Sequence, residues 1–412
     1  MRVLLVNKFL ERRGGVETYV LELGRMLSEA GHEVQLFGMD GPGREVGNDW
    51  GIYSPKLELG GRQGLGRISD IARTIRSQEN HDLMVGLLEK FQPDIVHFNN
   101  IHYHLTPSVL EAAAEYKASA EKPVGIVMTQ HDYHLVVPCD GCLNNRTYEM
   151  CEKCLDGRYL RCARRGCVRG GRAKSAVGTL ESMYWHRRGT YRHIDVCICP
   201  SAYMRDRFER VPEFAGRTAH IPNFTNLKRL AKPVEKEGYV LYYGAYNRDK
   251  GVATLLDVAR RHPEIEFRFA GRGPYSEQMK GISNVRDLGF NSGERLREIV
   301  ARASLVVVPS ECMENSPFAV IEAQCLGTPV LAARVGGIPE LMEDDVTGQL
   351  FGFRNRDDLE CRLVKLVADP ALLAQYSENC MRYEPMSLQR YLALLEGAYR
   401  HAMQRGLEGT FV

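Results

Sequence analysis

The chain has 412 residues, 44% of them hydrophobic, with 54 Lys and Arg against 52 Asp and Glu. At roughly 100–200 residues per domain this length gives two to three domains with ample apolar content, which excludes disordered and fibrous classes. A net charge of +2 excludes a chain that is a polyanion binder throughout, and no apolar run approaches the roughly 20 residues that span a bilayer.

The start, MRVLLVNKFLERRGG, reads as a β run followed by charges and glycines rather than a signal peptide. A reducing cytoplasm is therefore expected, with the cysteines as thiols or metal ligands. Val3–Val6 suits a buried parallel strand, Gly14-Gly15 a turn, and Val16–Ala30 a helix, with Val16, Tyr19, Val20, Leu23 and Leu27 at helical spacing. Gly31-His32 ends that helix and Val34–Phe37 is the next strand, completing a βαβ unit. Ile95–Phe98, Val124–Thr129 and Val196–Cys199 are further strands, and Pro107–Ala120 a helix. The polar, Pro-punctuated stretch that follows, residues 223–238, reads as a linker.

The rhythm then restarts: strand Val240–Tyr243, helix Val252–Arg261, strand Ile265–Ala270, glycine turn Gly271–Gly273 and helix Gly293–Arg302. Strand Leu305–Pro309, helix Phe318–Leu326, strand Pro329–Ala332 and helix Pro339–Glu343 follow. Strands alternating with helices predict parallel sheets. The expected fold is α/β, two Rossmann-like parallel-sheet domains facing a cleft, over residues 1–222 and 239–386. Residues 387–412 carry a last helix, which either ends the second domain or crosses back to the first.

Pro309–Glu322, PSECMENSPFAVIE, concentrates the chemistry. Ser316 reads as a helix N-cap and Pro317 as the first helical residue, so free N–H groups and a positive dipole end follow, a ready anion site. Glu314 lies just before that helix and Glu322, eight residues on, lies inside it; alone, such a pair equally describes two solvated glutamates. Gly14-Gly15 lets backbone approach a phosphate at a helix start, or is an ordinary turn; it lacks the G-x-G-x-x-G of a nicotinamide site. His131 ends a strand at the edge where α/β folds bind ligands, and Asn99, Asn100 and His102 end the preceding one. A metal role for His131 and His134 is set aside because no carboxylate pattern accompanies them. No two aspartates stand two residues apart, so no D-x-D holds Mg²⁺ on a diphosphate.

Six of the 12 cysteines lie between Cys139 and Cys167, spaced C-x2-C-x8-C-x2-C-x7-C-x4-C. Two C-x-x-C pairs in one segment point to a tetrahedral metal, zinc ahead of an iron–sulfur cluster. Cys151, Cys154, Cys162 and Cys167 are the first ligand set, with Cys139 and Cys142 as replacements for one pair; unligated thiols are the alternative. Cys197, Cys199, Cys312, Cys325, Cys361 and Cys380 are expected in cores. Residues 156–193 hold ten Arg and Lys against two acids, which suits an anionic membrane surface, a diphosphate-linked lipid or a solvated basic helix.

The text NVRDLGF, then LVVVPSECMENSPFAVIEAQCLGTPVLAARVGGIPELMEDDVTGQLF, resembles the C-terminal signature of retaining family 4 GT-B glycosyltransferases. GGVETYVLELGRMLSEAGHEV, DIVHFNNIHYHLTPSVLEAA and TQHDYH resemble its N-terminal half, and the CEKC block resembles the cysteine-rich insert of a subset. The resemblance runs in order over nearly the whole chain. It implies a donor nucleoside-diphosphate sugar, UDP- or GDP-linked, on the C-terminal domain. Glu322 would take the ribose hydroxyls, Glu314 would lie at the sugar, and Asn315 with the N–H groups of Phe318 and Ala319 would meet sugar or phosphate. His131 would bond the sugar near the reacting carbon; Asn99, Asn100 and His102 would be on the acceptor side.

YGAYNRDKG resembles the family's G-R-x-x-x-x-K-G diphosphate stretch. Lys250 falls at the Lys position, Ala245 replaces the Arg, and Arg248 is the substitute. Gly14 and Gly15 complete the donor set. The implied activity is metal-independent, retaining transfer to a hydroxyl of a saccharide or lipid-linked saccharide in bacterial surface-polysaccharide synthesis. No cofactor is required for catalysis, structural zinc is expected at the insert, and the enzyme is cytoplasmic or peripheral on the inner membrane face. The competing readings are a weakened sugar-nucleotide-binding subunit, a phosphorylase or epimerase of the same architecture, and, remotely, a nucleic-acid-binding zinc module; no nucleic acid is expected.

Overall fold

The computed structural model describes residues 1–56, 71–139, 141–225, 227, 229–230, 232 and 234–405. The chain divides into two compact units, Met1–Pro222 with Gln389–Val412, and Asn223–Leu388.

The first unit is built on a parallel six-stranded sheet of β1 (Arg2–Val6), β2 (Glu33–Phe37), β3 (Ile95–Phe98), β4 (Gly125–Thr129), β7 (Val196–Cys199) and β8 (Thr218–His220), in the order β2-β1-β3-β4-β7-β8. The two-residue strands β5 (Leu143–Asn144) and β6 (Glu149–Met150) pair antiparallel inside the cysteine insert. Val3 to Val6 and Ile95 to Phe98 are 0% exposed, because helices cover both faces of the sheet. That explains apolar runs where a half-solvated strand would alternate. The helices of this unit include α1 (Gly15–Glu29), α2 (Gln78–Phe91), α3 (Ser108–Ser119), α4 (Leu160–Arg165), α5 (Arg172–Arg188) and α6 (Ala202–Glu209).

The last helix, Leu388–Arg405, belongs with this first unit. Tyr391, Leu395, Tyr399 and Ala402 form its buried stripe. A Cβ on Gly125 would stand 2.8 Å from that of Ala402, so the glycine lets the helix lie close over β4. Tyr399 OH bonds His97 Nδ1 at 2.7 Å, and His97 Nε2 bonds Thr129 Oγ1 at 2.8 Å. Tyr19 OH bonds both Tyr391 OH and Thr129 Oγ1. Burial pushes His97 down to about 3, so it stays a neutral bridge.

The second unit repeats the plan with β9 (Val240–Ala245), β10 (Phe267–Arg272), β11 (Val285–Asp287), β12 (Leu305–Val308), β13 (Val330–Ala333) and β14 (Gly348–Phe351), ordered β11-β10-β9-β12-β13-β14. Its helices are α7 (Val252–Arg261), α8 (Ser276–Met279), α9 (Gly293–Arg302), α10 (Phe318–Cys325), α11 (Arg356–Val367) and α12 (Pro370–Cys380). Pro339–Glu343 is not an α-helix but a single 3₁₀ turn, Ile338–Glu340, before the chain reverses through Asp345 at φ 59°. The described residues of 223–238 run against the second unit. Leu230 N bonds Cys325 O at 3.3 Å, and Lys236 Nζ bonds Ala301 O, Gly327 O and Thr328 Oγ1 at 2.8–2.9 Å. Among the described residues no helix is long and apolar enough to cross a membrane.

Candidate functional site

Both sheets reverse strand order, between β1 and β3 in the first and between β9 and β12 in the second. Open α/β sheets bind ligands beyond the C-terminal strand ends at such a reversal.

In the second unit the chain leaves β9 through Tyr246 and Asn247 into the 3₁₀ turn Arg248–Lys250. Gly251 follows at φ +71°, where a Cβ would stand 1.8 Å from Pro309 O, so only glycine lets the β9 loop lie on the β12 loop. That contact brings Lys250 Nζ to 2.6 Å from Glu314 Oε1, and Ser310 Oγ donates to the same oxygen at 2.6 Å. Gly336 seats Glu314 from behind: at φ +58° its Cβ would stand 1.9 Å from Glu314 O, and Gly337 N donates to that carbonyl at 2.9 Å. Glu314 is buried, whereas Lys250 keeps 37% of its side chain exposed. Burial works against the Lys250 charge, but the Glu314 carboxylate more than offsets it and holds the ammonium above the usual lysine range.

Pro317, not Ser316, is the N-cap of α10, with extended backbone (ψ 124°); the helix opens at Phe318. Ser316 stands one residue earlier, its buried hydroxyl without a hydrogen-bond partner and its carbonyl accepting from Asn223 Nδ2 at 3.1 Å. Phe318 and Ala319 precede the first bond of the turn, Val320 N to Pro317 O, so their N–H groups open the helix, with Asn315 three residues ahead. Tyr243, near the end of β9, donates its OH to Ala319 O at 2.8 Å and engages Glu322. Burial pushes the Glu322 carboxyl up to about 7, against that tyrosine bond. Ala245 carries no charge, and the arginine that joins Arg248 here is Arg354, at φ 57° just after β14. Arg354 donates to Glu311 O at 2.7 Å and lies close enough to Arg248 for the charges to repel. Ser310, Tyr243, Gly336 and Arg354 carried no sequence signal of their own.

In the first unit Asn99 and Asn100 end β3, and Asn100 N bonds Asn7 Oδ1 at 3.0 Å beyond the neighbouring strand β1. His131 Nε2 lies 2.9 Å from Asn99 Oδ1, and its ring meets Tyr19 edge-on at 5.0 Å. Burial and then Lys8 push His131 down to about 3, so the neutral ring donates Nε2–H to Asn99 and keeps Nδ1 as its acceptor nitrogen. Gly14 precedes α1 with ordinary extended backbone, φ −165°, and Gly15 opens the helix. Glu17, in that first turn, is buried, and its carboxylate accepts from its own N–H and that of Gly14. Burial raises the Glu17 carboxyl above the usual carboxylate range against those bonds, and its acid group occupies this helix start.

Among the described residues no three insert thiols lie within 4.8 Å of one another, so the expected set Cys151, Cys154, Cys162 and Cys167 is not gathered at ligand distance. Cys162 contacts Cys139 and Cys167 by hydrogen bonds, Cys154 neighbours Cys151 and Cys167, and Cys142 neighbours Cys151 and Cys154. Among the scattered cysteines Cys361 is exposed rather than in a core, and Cys312 is only partly buried. His102 packs on His134, ring centroids 4.0 Å apart. His134 Nε2 in turn lies 3.0 Å from Glu181 Oε2 on α5. A carboxylate 47 residues away thus accompanies His134, a pairing that no local sequence pattern shows.

Residues 13–229 match the Glycosyltransferase Family 4 model, and residues 224–382 match Glycosyl transferases group 1. The chain is 31% identical over 141 residues to the sulfoquinovosyl transferase of Arabidopsis thaliana, over 34% of this chain and 28% of the relative. It is 42% identical over 169 residues to a D-inositol 3-phosphate glycosyltransferase of Nocardiopsis dassonvillei, over 36% and 39%. It spans less than two thirds of the length of these curated relatives. In fold it is similar to sucrose-phosphate synthase from Thermosynechococcus elongatus (TM-score 0.64, 19% identity, 98% and 97% covered) and to Anabaena HepE solved with UDP and glucose (TM-score 0.63, 16%, 97% and 99%). The two Rossmann-like parallel-sheet domains are those of the GT-B fold, and with more than half its length matched by the first of these family models the chain belongs to Glycosyltransferase Family 4.

Proposed function

We propose that the protein transfers a sugar from a nucleoside diphosphate to an acceptor hydroxyl with retention of anomeric configuration and without a catalytic metal. The observation that carries this reading is the Lys250–Glu314 contact of 2.6 Å, set at the strand-order reversal ahead of the α10 N-terminus. Departure of the diphosphate builds negative charge, which an ammonium, an arginine pair and free helix N–H groups stabilise without a divalent ion. Glu322 takes ribose hydroxyls as acceptor, and Glu314 orients the sugar while Lys250 and Ser310 fix its rotamer. His131, held neutral by burial, bonds the sugar. The leaving phosphate oxygen takes the acceptor proton, so no enzymic nucleophile is assigned.

HepE, similar in fold, has been solved with UDP-glucose, which makes uridine diphosphate sugars the first donors to test, with GDP sugars second. Anomeric NMR of the product tests the reading: retention is expected, and inversion would refute it. Donor consumption by wild type against Glu314→Ala separates an enzyme from a binding subunit, the reading that Ala245 favours. For the acceptor we propose a saccharide or lipid-linked saccharide in surface-polysaccharide synthesis. Leu160 and Leu180 are 53% and 56% exposed among the arginines of residues 156–193, which supports docking on an anionic membrane. Co-sedimentation with vesicles should then rise with anionic lipid content, and no dependence on it would sink this part.

A further inference from the structure

We infer that His102, His134 and Glu181 form a binding site for one divalent transition-metal ion, separate from the cysteine insert. Each contributes one ligand atom, and these atoms all lie within 4.8 Å of one another; among the described residues this is the one such group of three. The donors come from three elements: His102 from the loop after β3, His134 from the loop after β4 and Glu181 from the middle of α5.

Burial makes the cluster costly without an ion. The His134 and Glu181 side chains are each 1% exposed, and His102 is 4% exposed. Glu181 Oε1 and His102 Nδ1 are both buried without a hydrogen-bond partner. A carboxylate so enclosed, with a second oxygen unsatisfied, normally requires a full set of partners. The ring of Tyr103 closes the pocket edge-on against His134, centroids 5.0 Å apart.

For the His134–Glu181 pair the geometry needs little adjustment, and His102 lies within 4.8 Å of both. His134 Nε2 and Glu181 Oε2 are 3.0 Å apart, and two ligands at that spacing subtend about 90° at an ion about 2.0–2.1 Å from each. Opening the pair by about 0.4 Å reaches the tetrahedral angle. An ion there replaces the hydrogen bond between the two groups. Two imidazoles and one carboxylate select zinc, cobalt, nickel or ferrous iron over calcium and magnesium, which prefer all-oxygen shells. The consequence is mechanical: the ion would pin α5 to the two loops that follow β3 and β4, the second of which carries His131.

The test is metal analysis and X-ray absorption of the full chain expressed with zinc. Sulfur at about 2.3 Å marks thiolate sites, and nitrogen or oxygen at about 2.0 Å marks this one. Wild type is expected to hold one equivalent of ion with a nitrogen/oxygen shell, whatever the cysteines hold. Glu181→Gln and His102→Gln should each lose one equivalent and that shell. His104→Gln, in the same loop but outside the trio, should keep both. A wild-type chain with sulfur ligation only, or with no metal, would overturn the proposal even if the variants failed to fold. A folded Glu181→Gln protein with undiminished zinc would do the same.

Discussion

Lys250 and Glu314 come from loops 64 residues apart, yet they meet at 2.6 Å because Gly251 lets one loop lie directly on the other. Each is the other's charge partner, so the pair is expected to behave as a unit in mutation. Lys250→Met and Glu314→Gln should each lower the turnover number about 10²–10³-fold, the usual effect of removing one preorganised stabilising group. The double variant should lose no more activity than the worse single one. Steady-state kinetics of donor consumption checks this, and strictly multiplicative losses would show that the two groups act independently.

Glu322 provides a pH signature. With its carboxyl pushed up to about 7 by burial, the folded state holds a proton that the unfolded state, at 4.5, has already released. Its contribution to stability therefore falls as pH rises from 4.5 to about 7 and is flat above. A ribose hydroxyl needs the ionised acceptor, so uridine or guanosine binding should strengthen as pH rises through 7. Nucleosides are the probe because they carry no titrating phosphate. Calorimetric titration at pH 5.5 and 8 measures the effect, and Glu322→Gln should flatten it; an unchanged profile in that variant would remove Glu322 from the site.

Gly336 is the backing of Glu314. An alanine there adds a Cβ 1.9 Å from the Glu314 carbonyl at φ +58°, so Gly336→Ala must move the Glu314 backbone. Gly327, at φ +64°, would meet the flexible end of Met381 at 2.7 Å instead. Both substitutions should lower the melting temperature, but only Gly336→Ala should abolish donor turnover in the protein that remains folded. Equal activity in the two would show that the Glu314 position tolerates displacement.

How much of this was legible in the sequence follows from burial. The central strands announced themselves as apolar runs because both sheet faces are covered. Edge strands β8 and β11 did not, since Thr218–His220 and Val285–Asp287 are half exposed and lack any run. Helix α5 offered no apolar stripe to read, because its buried face is Ser175, Gly178, Thr179, Glu181, Ser182 and Trp185, mostly small and polar. Glu314, Glu322 and Lys250 stood out through one local pattern. Ser310, Gly336 and Arg354 support them only through folding, because no spacing rule relates Arg354 to a carbonyl 43 residues earlier.

The His97 bridge predicts where the first domain is weakest to mutation. Tyr399→Phe leaves His97 Nδ1 without its 2.7 Å partner in a fully buried site. The expected cost is about 1–3 kcal/mol, read as a lower melting temperature for the transition that unfolds this domain. Hydrogen exchange should show the loss in β3 and β4 while the second domain keeps its protection. A uniform loss across both domains would contradict the assignment of the last helix.

That helix also sets an order of events on the ribosome. The second domain is one continuous stretch, Asn223–Leu388, and it is complete before Tyr391, Leu395, Tyr399 and Ala402 have been synthesised. Until then His97, Thr129 and Gly125 lack their cover, so the domain that begins first is the one that finishes last. Nascent chains should accordingly present an unsealed N-terminal core to chaperones throughout translation of the second domain, the reverse of the usual N-terminal-first sequence.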